Sequence, residues 1–347
     1  MKAALVSAIA LLAGGVTLTT DYTKERTLKI DSKIHVTSET TEMTRDGEPM
    51  DMPGHPKSEN TWHIVQTDTL GAHEGNKPTK VKRHYEKVGG ETVFSMGENE
   101  NSRDLESPFE GATLELSGDG DEVKIEFLEG TKPDHEGALE GHRLALGLDA
   151  LLPDGEVEKD AKWELDSDQV KRALGTGLFK ALYPPPPRDE NAGGGGGGGG
   201  GRRGGGFMGR GGGSGLVGMA EWKGKAKLVS LDEDVDGQKC AKVELELSAK
   251  GDLPEPQMGG RGRRPGMFEP ESAALVSNTY SIEASGTFYF SIQGKHPVRL
   301  ELEGTTGTES EREMRRRDED TTVKMHTRSE GKLTVKIEVS EEAAEKK

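Results

Sequence analysis

Cysteine is nearly absent from this chain. Cys240 is its single thiol in 347 residues, so no disulfide can form within the molecule. Cys240 lies out of phase with the apolar set Ala241, Val243, Leu245 and Leu247, beside Lys242 and Glu244. A reactive thiolate needs a nearby histidine or another electropositive partner, and the sequence supplies none, so an inert thiol is expected. Aromatic residues make up 5% and hydrophobic residues 31% of the chain. The second figure falls well below the roughly 45–50% of ordinary globular domains, which excludes a deep core. A core about one sheet face thick is expected instead. Positive charge is also short: 46 Lys and Arg stand against 62 Asp and Glu, a net charge of -16. Phosphate binding needs a basic surface, so nucleic acid is excluded as a partner of the whole molecule.

Long hydrophobic runs are missing too. The one apolar stretch, Ala3 to Ala13, follows Lys2 and ends in the small residues Ala13-Gly14-Gly15. It is too short for a membrane span and has the form of an export signal. A leader over 1–19 is therefore expected, with the mature protein soluble in the periplasm or outside the cell. No cysteine follows the run, so no lipid anchor is expected. Catalytic signatures are lacking as well. There is no Gly-x-Ser-x-Gly, no phosphate loop and no dinucleotide fingerprint, and the Gly193 run lacks a Gly-Lys-Ser/Thr ending. His73-Glu74 and His135-Glu136 have no second histidine at helical spacing, as a zinc protease site would require. Scattered carboxylates such as Glu126 or Glu244 leave a hydrolase as the alternative reading.

What the sequence does have is a period of two. Phe288, Phe290 and Ile292 alternate with polar residues, and after Gly294-Lys295-His296-Pro297 the pattern resumes at Val298, Leu300 and Leu302. Successive side chains of a strand point to opposite faces, so this reads as a half-buried antiparallel hairpin. Val323 and Met325, a turn at Ser329-Glu330-Gly331-Lys332, and Leu333 to Val339 are read as a second hairpin. Similar alternation covers Leu28 to Val36, Trp62 to Leu70, Val81 to Val88, Thr92 to Met96, Trp222 to Leu231 and Cys240 to Lys250. Ala112 to Leu116 and Val123 to Phe127 flank Ser117-Gly118-Asp119-Gly120, a strong hairpin pattern.

Two stretches break this rhythm. His142 to Leu152 is apolar without a period of two and suits a short helix. Val170, Leu174, Leu178 and Leu182 fall four apart, which predicts a helix over 167–182 capped by Asp166 or Ser167. Gly175 and Gly177 each weaken it by about 1 kcal/mol. The expected fold class is mainly β: antiparallel meander or curved half-barrel sheets with one or two helices. An N-terminal β-rich segment over 21–182 and a C-terminal meander over 216–340 follow, as two sheets or one. Between them lies a Pro/Gly/Arg linker over 184–215, expected to be disordered, as is the loop 254–270.

Metal-ligand patterns are sparse. Asp232, Asp234 and Asp236, followed by Gly237, have the alternate spacing of a calcium loop. Val243 stands where a helical calcium loop needs a bidentate glutamate, so an acidic hairpin tip accounts for the same residues. Met50-Asp51-Met52-Pro53-Gly54-His55, with Met43 and His63, mixes ligands that suit Cu(I). Arg203-Gly204-Gly205 and Arg210-Gly211-Gly212 have the form of RNA-binding boxes, but only Phe207 accompanies their arginines, so a linker is expected there.

Leu151-Leu152-Pro153-Asp154-Gly155-Glu156-Val157 before Trp163, and Gly224 to Leu228 through Asp236-Gly237 to Ala241-Lys242-Val243-Glu244, resemble a group of uncharacterised exported bacterial β-rich proteins. The plan is also similar, at fold level, to lipoprotein-carrier half-barrels, in which a curved sheet cups helices and an apolar ligand. A sheet with one apolar face needs a cover, and a helix over 167–182 can hide only part of it, so the remainder would be a groove or partner surface. The expected function is an exported, non-enzymatic binding protein for an apolar small molecule or an envelope component. A purely structural envelope protein is a further alternative. No cofactor is expected beyond a weak calcium site.

Overall fold

The computed structural model describes residues 15–50, 54–119, 122–135, 137–184, 214–254, 273–315 and 322–342. Most of the expected leader, nearly all of the linker and of loop 254–270, and Asp51–Pro53 of the copper pattern lie outside the described residues. In chain order the first strands are β1 (Val16–Thr17), β2 (Arg26–Arg45), β3 (Glu48–Pro49), β4 (Lys57–Leu70), β5 (His73–Glu74) and β6 (Lys77–Pro78). β7 (Lys80–Met96), β8 (Asn99–Glu106), β9 (Thr113–Asp119), β10 (Glu122–Glu129), β11 (Glu156–Val157) and β12 (Lys162–Leu165) follow. β13 (Trp222–Val235), β14 (Gln238–Asp252), β15 (Ala273–Ser291), β16 (His296–Arg315) and β17 (Thr322–Glu342) complete the set.

Thirteen of these form one sheet in the order β10-β9-β7-β4-β2-β17-β16-β15-β14-β13-β12, with β3 beside β2 and β8 beside β7. Neighbouring strands pair antiparallel throughout. The two expected segments therefore share a sheet, joined where β17 pairs with β2 from Glu342↔Thr27 to Met325↔Arg45. One apolar row crosses this seam as Leu302, Val335, Ile34 and Trp62. Along this row the face is covered: Leu302, Val335, Ile34 and Trp62 are all buried, in one core cluster.

The chain itself supplies the cover. β10 is one edge of the sheet and β12 is at the other. The connection between them carries Leu144, Leu146, Leu148 and Leu151 into the core. Helices α1 (Ser167–Ala173), α2 (Phe179–Leu182) and α3 (Ser214–Met219) add Val170, Leu182 and Val217. Trp62 stacks on Phe179 at 5.6 Å between ring centroids, and the Tyr183 hydroxyl donates to the Gly89 carbonyl at 3.1 Å. Leu128, Leu139, Met219 and Val276 are the large apolar side chains left exposed among the described residues.

Three local expectations are corrected. The helix over 167–182 is broken into α1, a 3-10 turn at Thr176–Leu178 and α2. Gly175 adopts φ +66° there, a left-handed conformation that ends α1. Asp166 is the N-cap, in a reciprocal capping box with Gln169. The turn at Ser329–Lys332 does not form, because β17 runs through it as one 21-residue strand. Gly331 serves a close approach instead: a Cβ there would sit 1.8 Å from the Thr37 carbonyl oxygen on β2. Near the start of the described chain β1 pairs with β11, and Leu18 is buried. The helix expected within His142–Leu152 is a 3-10 turn at Gly147–Leu151.

Candidate functional site: an open polar cleft and a buried polar network

On the β12 side of the sheet, α1 and strands β12 to β16 enclose an open cleft of about 1200 Å³. Leu165, Trp222, Leu247 and Ala284 border it, but in the core phase of their strands, so their side chains are buried in the core rather than presented to the cleft. Its polar side chains come from the opposite phase, which turns them to solvent. Glu164, Lys225, Glu246, Ser285 and Glu303 align as one row across five strands. Lys223, Ser248, Glu283 and Thr305 form the next row. Five carboxylates, counting Asp166, face two ammonium groups, so the cleft is acidic. Asp166 is occupied by its cap bond to Gln169, and Glu283 lies 3.5 Å from Lys250. Ser167 is the hydroxyl nearest to catalytic use, but it accepts from Trp222 N at 3.1 Å and lies 3.5 Å from the Ala220 carbonyl. No histidine lines the cleft to act as its base.

The second polar feature lies inside the core. Leu28, Asp68, Arg83 and Leu114 sit side by side on four strands, all facing inward. Arg83 donates from Nε and Nη2 to the two Asp68 carboxylate oxygens, each at 2.7 Å, in a bidentate pair. Gln66 and the Arg143 carbonyl complete its surroundings. Next to it the Tyr85 hydroxyl approaches Nδ1 of buried His142 at 3.3 Å. Burial and then the Arg83 charge push His142 down to about 3, so its ring is neutral. Burial pushes the Tyr85 hydroxyl up to about 12.

A separate buried carboxylate ties the N-terminal strap to the cover. Thr20 donates to Asp149 Oδ1 at 2.5 Å, Tyr22 donates to Oδ2, and Leu146 N donates to the Tyr22 oxygen at 2.7 Å. Burial pushes Asp149 up to about 6, against those two hydrogen bonds. A carboxyl whose folded pKa is raised stabilises the protein most below the unfolded value, and that contribution is lost as pH rises through the folded one. Thermal unfolding of wild type and Asp149→Asn should show it as a difference. Between pH 4 and pH 7.5 wild type should lose up to about 3 kcal/mol relative to the variant. His142 tilts stability the opposite way, which is why the difference carries the test. Parallel pH profiles would contradict a raised Asp149.

The residues singled out from sequence do not meet at one point. Asp232 pairs with Lys239 at 2.9 Å, Asp234 accepts from Gly237 N at 3.1 Å, and Asp236 pairs with Arg299 at 2.8 Å. Asp236 and Gly237 both have positive φ, as an Asp-Gly hairpin turn requires. Among the described residues no group of three His, Cys, Asp or Glu side chains is placed to hold a metal. Cys240 is buried on the far face with Val235, Val298 and half-buried Tyr289, and burial pushes its thiol up to about 11. Glu244 points outward beside Lys227 and Thr287, and Glu126 stands on the edge strand β10. His63 bonds to Asp31 at 2.9 Å.

Sequence reasoning missed both the cleft and the Asp68–Arg83 pair. The pair did carry a signal, since Asp68 and Arg83 stand in the apolar phase of β4 and β7, where a charge needs a partner. The cleft carried none, because outward Glu and Lys are the ordinary face of a strand.

No family model matches the chain, and no curated protein sequence matches it. Among solved structures, one of lipid–protein interactions in lipovitellin aligns with 93% of this chain and 26% of that one, at 7% identity and a TM-score of 0.33. The secretin β-barrel domain of InvG from the Salmonella SPI-1 injectisome aligns with 92% of this chain and 64% of that one, at 8% identity and a TM-score of 0.17. The chain thus spans about a quarter of the first and under two thirds of the second. At these scores the likeness carries nothing about function. Among the described residues no helix is long and apolar enough to cross a membrane.

Proposed function

We propose that this is a non-enzymatic binding protein, and that its partner lies in the open cleft beside α1. The observation that carries the reading is the cleft itself: about 1200 Å³, with outward rows in which five carboxylates face two ammonium groups. Such a surface suits a cationic, extended partner, held by charge complementarity. The Lys2 to Gly15 pattern supports a partner in the cell envelope or outside the cell. An apolar ligand is the second reading, favoured by the breadth of the sheet's apolar face. It would require the cover to leave Trp62 and its neighbours, which are buried now.

A lysine decapeptide and dodecanoate, titrated separately into the full chain by calorimetry, distinguish the two. The decapeptide should bind at low salt and weaken on salt addition. Glu246→Gln/Glu303→Gln should weaken it about tenfold, since each exposed charge contributes up to about 1 kcal/mol. Dodecanoate binding without decapeptide binding would give the function to the apolar reading. An affinity indifferent to the double substitution would remove the cleft from recognition.

A further inference from the structure

The edges of the large sheet are not alike. β12 is four residues long and runs at once into α1, and β8 reads Asn-Glu-Asn-Ser-Arg-Asp-Leu-Glu, polar almost throughout. Short or charged edge strands resist pairing with other chains. β10 is different. It is eight residues long, with Val123, Ile125 and Phe127 half-buried on the core side and Lys124 and Glu126 exposed on the other. Its inner neighbour is β9, and no backbone hydrogen bond leaves its outer side among the described residues. Leu128, near its end, is 45% exposed. The apolar row of the sheet therefore runs out to this edge and stops there unfinished.

We propose that β10 is a docking edge and that its occupant is β10 of a second copy of this chain, paired antiparallel about a two-fold axis. The residue pattern selects the register. Residues directly opposite in an antiparallel pair lie on the same face, so continuing the apolar face requires apolar opposite apolar. A two-fold centred on Ile125 does this: Val123 meets Phe127, and Ile125 meets its own copy. The same register sets Lys124 opposite Glu126 twice, giving two cross-strand charge pairs. Centring on Lys124 would oppose lysine with lysine, and centring on Glu126 would oppose glutamate with glutamate. One register alone satisfies both faces. Two sheets then join into one, each covering the unfinished row of the other.

A single strand pair buries less than about 1,200 Å², so the dimer belongs to the weak, concentration-dependent class. Sedimentation equilibrium of the full chain in about 150 mM salt, where long-range repulsion between acidic copies is screened, reads it directly. The 37.4 kDa chain should move toward twice that mass as concentration rises from about 1 to 500 µM. Lys124→Glu should weaken dimerisation about tenfold by turning both pairs repulsive. Lys124→Glu/Glu126→Lys should restore it, because the exchange recreates both pairs in the same register. Both positions are exposed, so folding is unaffected, and an unchanged melting curve checks this. A monomer throughout, a dimer indifferent to Lys124→Glu, or a double variant as weak as the single one would each overturn the proposal. The edge lies at the opposite end of the sheet from the cleft, so this result is independent of the decapeptide titration.

Discussion

Methionine in place of Arg83 is expected to lower the unfolding free energy by about 3–5 kcal/mol, measured by urea denaturation. The size comes from what is left behind. Asp68 is fully buried and receives both arms of the Arg83 guanidinium, so losing Arg83 strands a carboxylate among Leu28, Leu114 and Tyr85. Gln66 reaches that carboxylate at 3.4 Å from both oxygens, too long to replace the lost bonds. Removing both charges should do less harm than removing one. Asp68→Asn/Arg83→Met should recover part of the loss, because no unpaired charge remains. If Arg83→Met cost less than about 1 kcal/mol, the pair would be behaving as an exposed one.

Alanine at Phe179 is expected to cost about 3 kcal/mol or more, by removing a buried ring and leaving a cavity under the cover. Phe179 joins the cover to the sheet on two sides, stacked on Trp62 at 5.6 Å and edge-on to Tyr183 at 5.9 Å. The cover is made of short helices, of seven, four and six residues. Helices this short have little stability of their own and depend on such contacts. The variant should therefore lose hydrogen-exchange protection over α1 and α2 before the sheet does. Equal loss across β2, β4 and β17 would show that cover and sheet open as one unit.

The strands were legible because their alternation is a local property of the chain. Leu28, Ile30, Ile34 and Val36 announce β2 without reference to any partner. Strand ends were less legible. Thr305, Thr306 and Thr308 carry no apolar phase, yet β16 continues through them to Arg315, held by its neighbours on both sides. Gly331 was misread because glycine has two uses, reversing the chain and letting backbones approach, and sequence alone does not separate them. The seam between β2 and β17 joins residues some 300 apart in sequence, from Thr27 to Glu342, beyond the reach of any local pattern. The cover was half legible: the apolar spacing located Val170, Leu174 and Leu182 correctly, but not that Gly175 would divide the helix. The cleft depends on which strands become neighbours, so its rows appear only once Glu164, Lys225, Glu246 and Glu303 are aligned.

The chain's own cover buries the apolar row at its centre, which leaves the polar cleft as the surface proposed for recognition. Fluorescence of an apolar dye such as anilinonaphthalene sulfonate tests it most directly, with native protein and Phe179→Ala compared under identical conditions. Native protein should leave the dye dark, and the variant should light it as the cover loosens. Saturable, stoichiometric dye binding by the native protein would mean that an apolar groove is already open, and would contradict the account.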